Sequence, residues 1–206
     1  TTAPPHTMTC RGTFEGHTGY VWGVAWVGDD RVVTASADNT LKLWRATEQR
    51  LRGTFTGHTG GVYCVCWLGD NRIVSGSDDC TVKIWDIDTQ TCLGTLTGHG
   101  GTLNCVLSLG DGRVVTGSDD KTLRVWSVDT QTCLGTFTGH TDPVYSVASL
   151  GDGRFVSGSE DKTLRVWSVS TQACLQTLSG YGSSVWAVVC VGSDRVVSAS
   201  TDETLK

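Results

Sequence analysis

The sequence repeats with a period of 41 residues, and this period limits the possible folds more than any other feature. A Gly-His pair marks the same phase of four successive units, and a Gly-Tyr pair that ends at Tyr181 replaces it in the fifth. The four histidines are His17, His58, His99 and His140. Tryptophans keep the same interval at Trp44, Trp85, Trp126 and Trp167. Such a repeat indicates a fold in which each unit is one supersecondary structure packed against its neighbours.

Each unit predicts four short strands and no helix. In the second unit, residues 62–67 form an apolar run, 72–77 are rich in β-branched and small residues, and 81–85 alternate in polarity. Residues 91–96 supply a fourth strand, and Gly, Asp and Asn occupy the intervening turns. Because one small antiparallel sheet cannot bury both of its faces, neighbouring units must stack.

The unit resembles the WD40 repeat of β-propeller proteins, since Gly-His stands near one end and Trp-Asp near the other. The resemblance extends from about Cys10 to Lys206. The second unit has the full signature of His58, Ser77, Asp79, Trp85 and Asp86. In the other complete units Arg45, Ser127 and Ser168 replace the Asp after Trp. The segment Thr-Cys-Leu-Gly-Thr-Leu-x-Gly-His is similar to the propellers of F-box substrate receptors.

The strand count predicts how the ring closes. The five first strands begin near Tyr20, Gly61, Thr102, Pro143 and Ser184. The fifth unit ends partway through its third strand, whereas residues 9–14 resemble a fourth strand without a sheet. We therefore predict an all-β WD40 β-propeller of five blades with four antiparallel strands each, closed by the N-terminal strand completing the last blade. Residues 1–8 would be a tail and 9–206 a single domain. The alternatives are a fragment of a longer ring and two chains that share a larger ring.

The resemblance also implies a hydrogen-bonded structural network inside each blade, made of the Gly-His histidine, a second-strand Ser, a turn Asp and the third-strand Trp. The four sets are His17, Ser36, Asp38 and Trp44; His58, Ser77, Asp79 and Trp85; His99, Ser118, Asp120 and Trp126; and His140, Ser159, Asp161 and Trp167. Although catalytic triads use the same residue types, a catalytic nucleophile must be exposed and face an oxyanion hole. Four copies in four units favour a structural role, so we predict no catalytic residue and no enzyme.

Differences between the units indicate which surface binds a partner. The third and fourth units, residues 92–132 and 133–173, are nearly identical, and more than half of their differences lie within 100–107 and the matching 141–148. The resemblance implies that this part belongs to the top face of the propeller, where partners bind, together with the residue before each turn Asp. The predicted partner-binding residues are Tyr20, Trp22, Tyr63, Asp78, Asn104, Asp119, Tyr145, Glu160 and Trp186.

These residues predict the function and the type of partner. Exposed aromatic rings beside carboxylates favour a basic peptide, or a cation held against ring faces. We expect a non-catalytic scaffold that binds a protein or peptide on the top face. One alternative is the substrate-recognition propeller of a ubiquitin ligase complex, and another is small-ligand binding in the central channel. The structural alternative for Trp22 and Trp186 is packing between blades.

Charge, hydrophobicity and cysteine content limit the classes of partner and the cellular location that we expect. The net charge of −5 argues against a nucleic-acid partner, and no apolar run approaches the roughly 20 residues that cross a membrane. Cys10, Cys92, Cys133 and Cys174 share one repeat position, which Leu51 occupies in the remaining unit. This predicts apolar packing of reduced thiols rather than a metal site. We expect no metal, no cofactor, a cytoplasmic or nuclear location, and a homodimer if one chain does not close the ring.

Overall fold

The computed structural model describes Cys10 and residues 12–192 and 195–206. The predicted tail at residues 1–8 lies outside this part of the chain, as do Thr9 and Arg11 of the predicted closing strand. The described residues form β-strands, turns and loops without any helix, so the predicted all-β class is confirmed.

The strands group into five successive sheets, which we call blades 1 to 5. Blade 1 contains β1 (Val21–Trp26), β2 (Arg31–Ser36), β3 (Leu41–Arg45) and β4 (Arg50–Phe55), and blade 2 contains β5 (Val62–Gly69), β6 (Arg72–Ser77), β7 (Val82–Asp86) and β8 (Cys92–Leu96). Blade 3 contains β9 (Leu103–Ser108), β10 (Arg113–Ser118), β11 (Leu123–Ser127) and β12 (Thr132–Phe137). Blade 4 contains β13 (Val144–Gly151), β14 (Arg154–Ser159), β15 (Leu164–Ser168) and β16 (Ala173–Leu178), and blade 5 contains β17 (Val185–Val191) and β18 (Arg195–Ser200).

Within each blade the strands pair antiparallel in chain order. The first strands of neighbouring blades contact one another, from β1 to β5, β9, β13 and finally β17. The first strands therefore surround a common axis, and the fourth strands lie at the outside. The predicted five units of a WD40 propeller, with strands and turns where the repeat placed them, are confirmed.

The hydrophobic core lies between blades rather than within one. At each boundary a third-strand residue, its cross-strand partner on the fourth strand and the opening residue of the next blade pack in one cluster. We call this group a junction triplet. The four triplets are Leu41, Phe55 and Val62; Val82, Leu96 and Leu103; Leu123, Phe137 and Val144; and Leu164, Leu178 and Val185. The same contact is thus repeated four times along the chain.

The structure corrects the predicted closure of the ring. Among the described residues, blade 5 has two strands and one further bridge, between Ala199 and Leu205. Cys10 and residues 12–14, the described part of the predicted closing strand, are not paired in a sheet, and residues 12–14 lie against blade 1 instead. The Phe14 ring meets Trp44 edge-on at 5.5 Å, as Phe55 meets Trp85 at 5.7 Å. Packing against the following blade therefore positions this segment, and that packing does not bring blade 5 beside blade 1.

The predicted apolar packing of the repeated cysteines is wrong. Cys10, Cys92, Cys133 and Cys174 are all exposed, and so is Leu51. The reason is their position near the start of the outermost strands, where side chains are exposed, whereas the last residue of β4, β8 and β12 is buried. The buried thiols are instead Cys64 and Cys105, where burial raises both pKa values, that of Cys105 to about 12.

Candidate functional site

A chain of hydrogen bonds runs through the interior of blade 2. His58 approaches the Asp79 carboxylate through Nδ1 at 2.7 Å and the Ser75 hydroxyl through Nε2 at 2.8 Å. The Trp85 indole N–H donates to the same hydroxyl oxygen at 2.8 Å. A neutral imidazole satisfies this chain when Nδ1–H donates to Asp79 and Nε2 accepts from Ser75. His58, Ser75 and Trp85 are buried and the Asp79 side chain is only 9% exposed, so the network holds the top loop against the sheet without offering a reactive group.

The structure assigns the hydroxyl of this network to a different residue from the predicted one. The His and Trp side chains bond to the hydroxyls of Thr34, Ser75, Thr116 and Ser157. The predicted serines lie two residues later, at Ser36, Ser77, Ser118 and Ser159. Each of these donates to a loop carbonyl and accepts from the backbone N–H of the turn Asp. Successive side chains of a strand point to opposite faces of the sheet, so two residues that are two positions apart lie on the same face. The repeat alone therefore did not show which of the two hydroxyls bonds to the histidine and the tryptophan.

The turn carboxylates are saturated with donors. Asp79 accepts from His58, from the Thr59 backbone N–H, and from both the backbone and the hydroxyl of Thr81. Burial raises the pKa of Asp79, but the bonds from Thr81, Thr59 and His58 outweigh burial and lower it to about 2. Asp38, Asp120 and Asp161 have equivalent partners, and the pKa of each is also lowered against the opposing effect of burial.

Blade 5 has a reduced version of the network. The Tyr181 hydroxyl lies 2.5 Å from the Ser198 hydroxyl, which occupies the position equivalent to Ser75. Asp202 still accepts from the Gly182 backbone N–H and from Thr204. The Lys206 ammonium lies 4.7 Å from the Tyr181 ring centroid, where it makes a cation–π contact. The turn is thus retained in blade 5 although the His-to-Asp bond is not.

Lowering the pH is expected to destabilise the protein. Burial lowers the pKa of His58 and His140, and this outweighs the opposing effects of Asp79 and Asp161. The unfolded state therefore binds protons at a higher pH than the folded state, so stability is lost as pH falls below the ordinary histidine value of 6.5. Thermal melts should show a falling Tm from about pH 7 to about pH 5, and a further loss near about pH 4 as the turn carboxylates titrate. A Tm that is constant or rises over the first interval would contradict this expectation.

A pocket of about 410 Å³ lies on the axis at the end of the propeller that carries the loops after Gly-His, which we call the top face. Its lining residues come from all five blades: Trp22, Tyr63, Thr102, Asn104, Asp119, Tyr145 and Trp186. Trp22 and Trp186 are 54% exposed, so they face this pocket and do not pack inside the core between blades. The volume lies within the range of sites that bind a side chain or a small molecule.

Two pairs of stacked aromatic rings line the pocket. Trp22 stacks on Tyr63 with ring centroids 5.6 Å apart and an interplanar angle of 21°. Tyr145 stacks on Trp186 at 4.3 Å and 12°. Each pair joins residues of neighbouring blades, so the rings are oriented by the packing of the propeller. Such preorganised rings offer flat apolar surface with electron-rich faces.

The polar lining residues direct their hydrogens toward nearby acids. Asn104 donates from Nδ2 to the Asp119 carboxylate at 2.7 Å and to the Val144 carbonyl at 3.1 Å. The Tyr145 hydroxyl donates to Glu160 at 2.8 Å, and burial together with this bond raises the Tyr145 pKa to about 12. Asn104 and Tyr145 thus use these donors on protein acceptors, which leaves their oxygens free to accept hydrogen bonds from a ligand. The arrangement suits a ligand that donates hydrogen bonds or carries positive charge.

Three predicted partner-binding residues surround the pocket without lining it. Tyr20 is highly exposed and its ring lies 5.8 Å from that of Trp22. Asp78 accepts from the hydroxyl of Thr102 at 2.6 Å, and Glu160 orients Tyr145. Thr102 lines the pocket but was not among the predicted residues. Its place three residues after His99 is the repeat position that faces the top, so the spacing could have identified it. Its side chain is a small hydroxyl among aromatic rings, so its chemistry did not suggest a binding role.

The described residues contain neither a metal site nor a membrane-spanning helix. Among the described positions, no group of three or more His, Cys, Asp or Glu side chains is arranged to hold a metal ion. No helix in this part of the chain is long and apolar enough to cross a membrane. The recurring arginines pair mainly with acids: Arg31 with Asp88, Arg72 with Asp129 and Arg113 with Asp111.

Comparison with known proteins agrees with this architecture. The family model described as WD domain, G-beta repeat matches five successive segments, at residues 8–45, 49–86, 90–127, 131–168 and 172–206. Each match ends at or near the third strand of a blade, so the family repeat runs from one fourth strand through the next three strands. A search of curated proteins found no match.

Proposed function

Because the chain belongs to the WD40 repeat family, we propose that it is a scaffold that binds a positively charged protein segment in the top-face pocket. Propellers of this family are in general non-catalytic and bind proteins or peptides. The choice of ligand class rests on one observation, the combination of two aromatic stacks with acceptor groups. The segment would be an exposed loop or tail of the partner, and the side chain that enters the pocket would be Arg or Lys.

The geometry supports an arginine or lysine because it satisfies both parts of such a side chain. The aliphatic stem and the charged head pack on the ring faces, where a cation gains about 0.5–2 kcal/mol. The Asp119 carboxylate at the wall accepts from the head group and balances its charge. The neighbouring acids Asp78 and Glu160 add negative potential, which increases the association rate of a basic partner.

A phosphate-reading substrate receptor of a ubiquitin ligase is the competing function. Such a receptor requires arginine side chains around the pocket, whereas none of the described lining residues is Lys or Arg. A phosphorylated peptide would also bring negative charge next to Asp119. The two functions therefore predict opposite preferences for the charge of the ligand.

The test uses three pentapeptides that differ only at the central position, with alanine on both sides. The centre is arginine, its uncharged isostere citrulline, or phosphoserine, and binding is followed by the fluorescence of the exposed Trp22 and Trp186. We expect arginine to bind about tenfold more tightly than citrulline, and phosphoserine not to bind. Tighter binding of phosphoserine would favour the ubiquitin ligase function, and equal binding of arginine and citrulline would exclude the charge-based site.

A substitution that changes charge alone should reproduce the same difference. Asp119→Asn is expected to weaken arginine-peptide binding about five- to tenfold and to leave citrulline-peptide binding unchanged. Asp152→Asn is the matched control, because Asp152 is exposed in the turn between β13 and β14, at the end of blade 4 away from the pocket. An equal effect of the two substitutions would contradict a local role for Asp119.

A further inference from the structure

The face of blade 1 that points away from blade 2, which we call its outer face, is an apolar surface on which no other blade packs in the described part of the chain. Val21 is 52% exposed, whereas Val62, Leu103, Val144 and Val185, which open the other blades, are fully buried. Val24 of the same strand is mostly exposed as well. Phe14, Val21, Val24 and Trp44 line a groove of about 390 Å³ on this face. Blades 2 to 5 use this same face to pack on the preceding blade.

The outer face of blade 5 is the complementary surface. Leu205 is 73% exposed, whereas its equivalents Leu41, Val82, Leu123 and Leu164 are buried. Val189, Val191 and Val197 are exposed on the same face. Each buried equivalent of Leu205 packs against a fourth-strand residue and the opening residue of the next blade. Leu205 is therefore one member of a fifth junction triplet whose other positions belong to Phe14 and Val21.

Residues 12–14 are positioned to complete that triplet. A Cβ atom added at Gly12 would overlap Gln49, as one at Gly53 would overlap Gln90 of the next blade. Together with the contact between Phe14 and Trp44, this places the segment where a fourth strand normally lies against the following blade. Fourth-strand residues equivalent to Phe14 pair with the third-strand equivalents of Leu205 in all four complete blades. The register of Phe14 opposite Leu205 follows directly.

One chain thus carries both halves of the contact, and in this structure the halves are apart because Val21 and Leu205 are both exposed. We propose that a second copy of this chain covers them, with blade 5 of one copy packed on blade 1 of the next. Leu205 then enters the groove beside Val21, and residues 12–14 of the second copy add as a fourth strand to the free edge of blade 5. The interface is head-to-tail, so each copy has one surface of each kind.

The test is the mass in solution of the full chain and of two variants. Val24→Glu blocks the blade 1 face and Leu205→Glu blocks the blade 5 face, and both side chains are so exposed that folding should be unaffected. We expect the unaltered chain to have at least twice the 22.0 kDa monomer mass at tens of micromolar, and each variant alone to be a monomer. An equimolar mixture should form a 1:1 dimer, because one intact face of each kind remains.

The matched control alters an exposed leucine that belongs to neither end face. Leu93→Glu changes an exposed leucine on β8, away from both end faces, and should leave the mass of the assembly unchanged. A monomer of the unaltered chain at every concentration would overturn the proposal. A variant that remains oligomeric alone would show that like faces, or another surface, associate. A mixture of the two variants that stays monomeric would exclude the head-to-tail contact.

Discussion

Replacing Asp79 with alanine is expected to lower the free energy of unfolding by about 3 kcal/mol or more. The substitution removes the acceptor of four hydrogen bonds, from His58, Thr59 and the two donors of Thr81. The imidazole is buried, so its Nδ1–H cannot turn to water for a new partner. For a chain of this size the loss corresponds to a fall in Tm of about 10 °C, measurable by calorimetry or circular dichroism.

The fifth repeat supplies the control for this prediction. Asp202 occupies the same turn and accepts from Gly182 and Thr204, but Tyr181 replaces the histidine. Asp202→Ala therefore removes the turn bonds without leaving a buried imidazole unpaired, and its Tm should fall distinctly less. If Asp79→Ala and Asp202→Ala reduce Tm equally, the His-to-Asp bond does not contribute the stability assigned to it.

Trp167→Ala is expected to cost about 3–5 kcal/mol of stability, and Trp186→Ala at most about 1 kcal/mol. Trp167 is 1% exposed, packs against Phe137 and Phe155, and donates to Ser157. Its removal leaves a cavity between blades, and the Ser157 hydroxyl, which still bonds to His140, loses the donor that its oxygen accepts from. Trp186 instead lies at the pocket and stacks on Tyr145 alone. Denaturant unfolding of the two variants measures the difference.

The same two variants distinguish a tryptophan that stabilises the fold from one that binds the ligand. Trp186→Ala should weaken binding of the arginine peptide while the propeller remains folded, because it removes half of one aromatic wall. A large stability loss on Trp186→Ala would instead indicate that this ring is part of the core, and would weaken the case for a preformed site. The two tryptophans are thus predicted to differ in role although they are of one residue type.

Much of the candidate site was predictable because the repeat places each residue in a known phase. The spacing after each Gly-His brought Trp22, Tyr63, Asn104, Tyr145 and Trp186 to one pocket, and Asp119 entered through its place before the turn Asp. The phase does not reveal which side chains satisfy one another. That Asn104 also donates to the Val144 carbonyl, and that Trp22 and Tyr145 stack on rings of the neighbouring blade, depends on contacts between blades, which no single unit contains.

The sequence by itself determined the unit of this protein: the 41-residue period and the order of strands and turns follow from the repeated pattern, and the resemblance to the WD40 repeat implied the buried tryptophans and histidines. The tertiary structure decided what happens where that pattern stops. Whether residues 12–14 close a ring depends on the distance between blades 1 and 5, which accumulates over four blade-to-blade contacts. The choice of Ser75 over Ser77 in the network likewise depends on reach across the sheet. The repeated sequence pattern determines the structure of each blade. The packing of one blade on the next, added over the whole chain, determines which blade faces remain exposed.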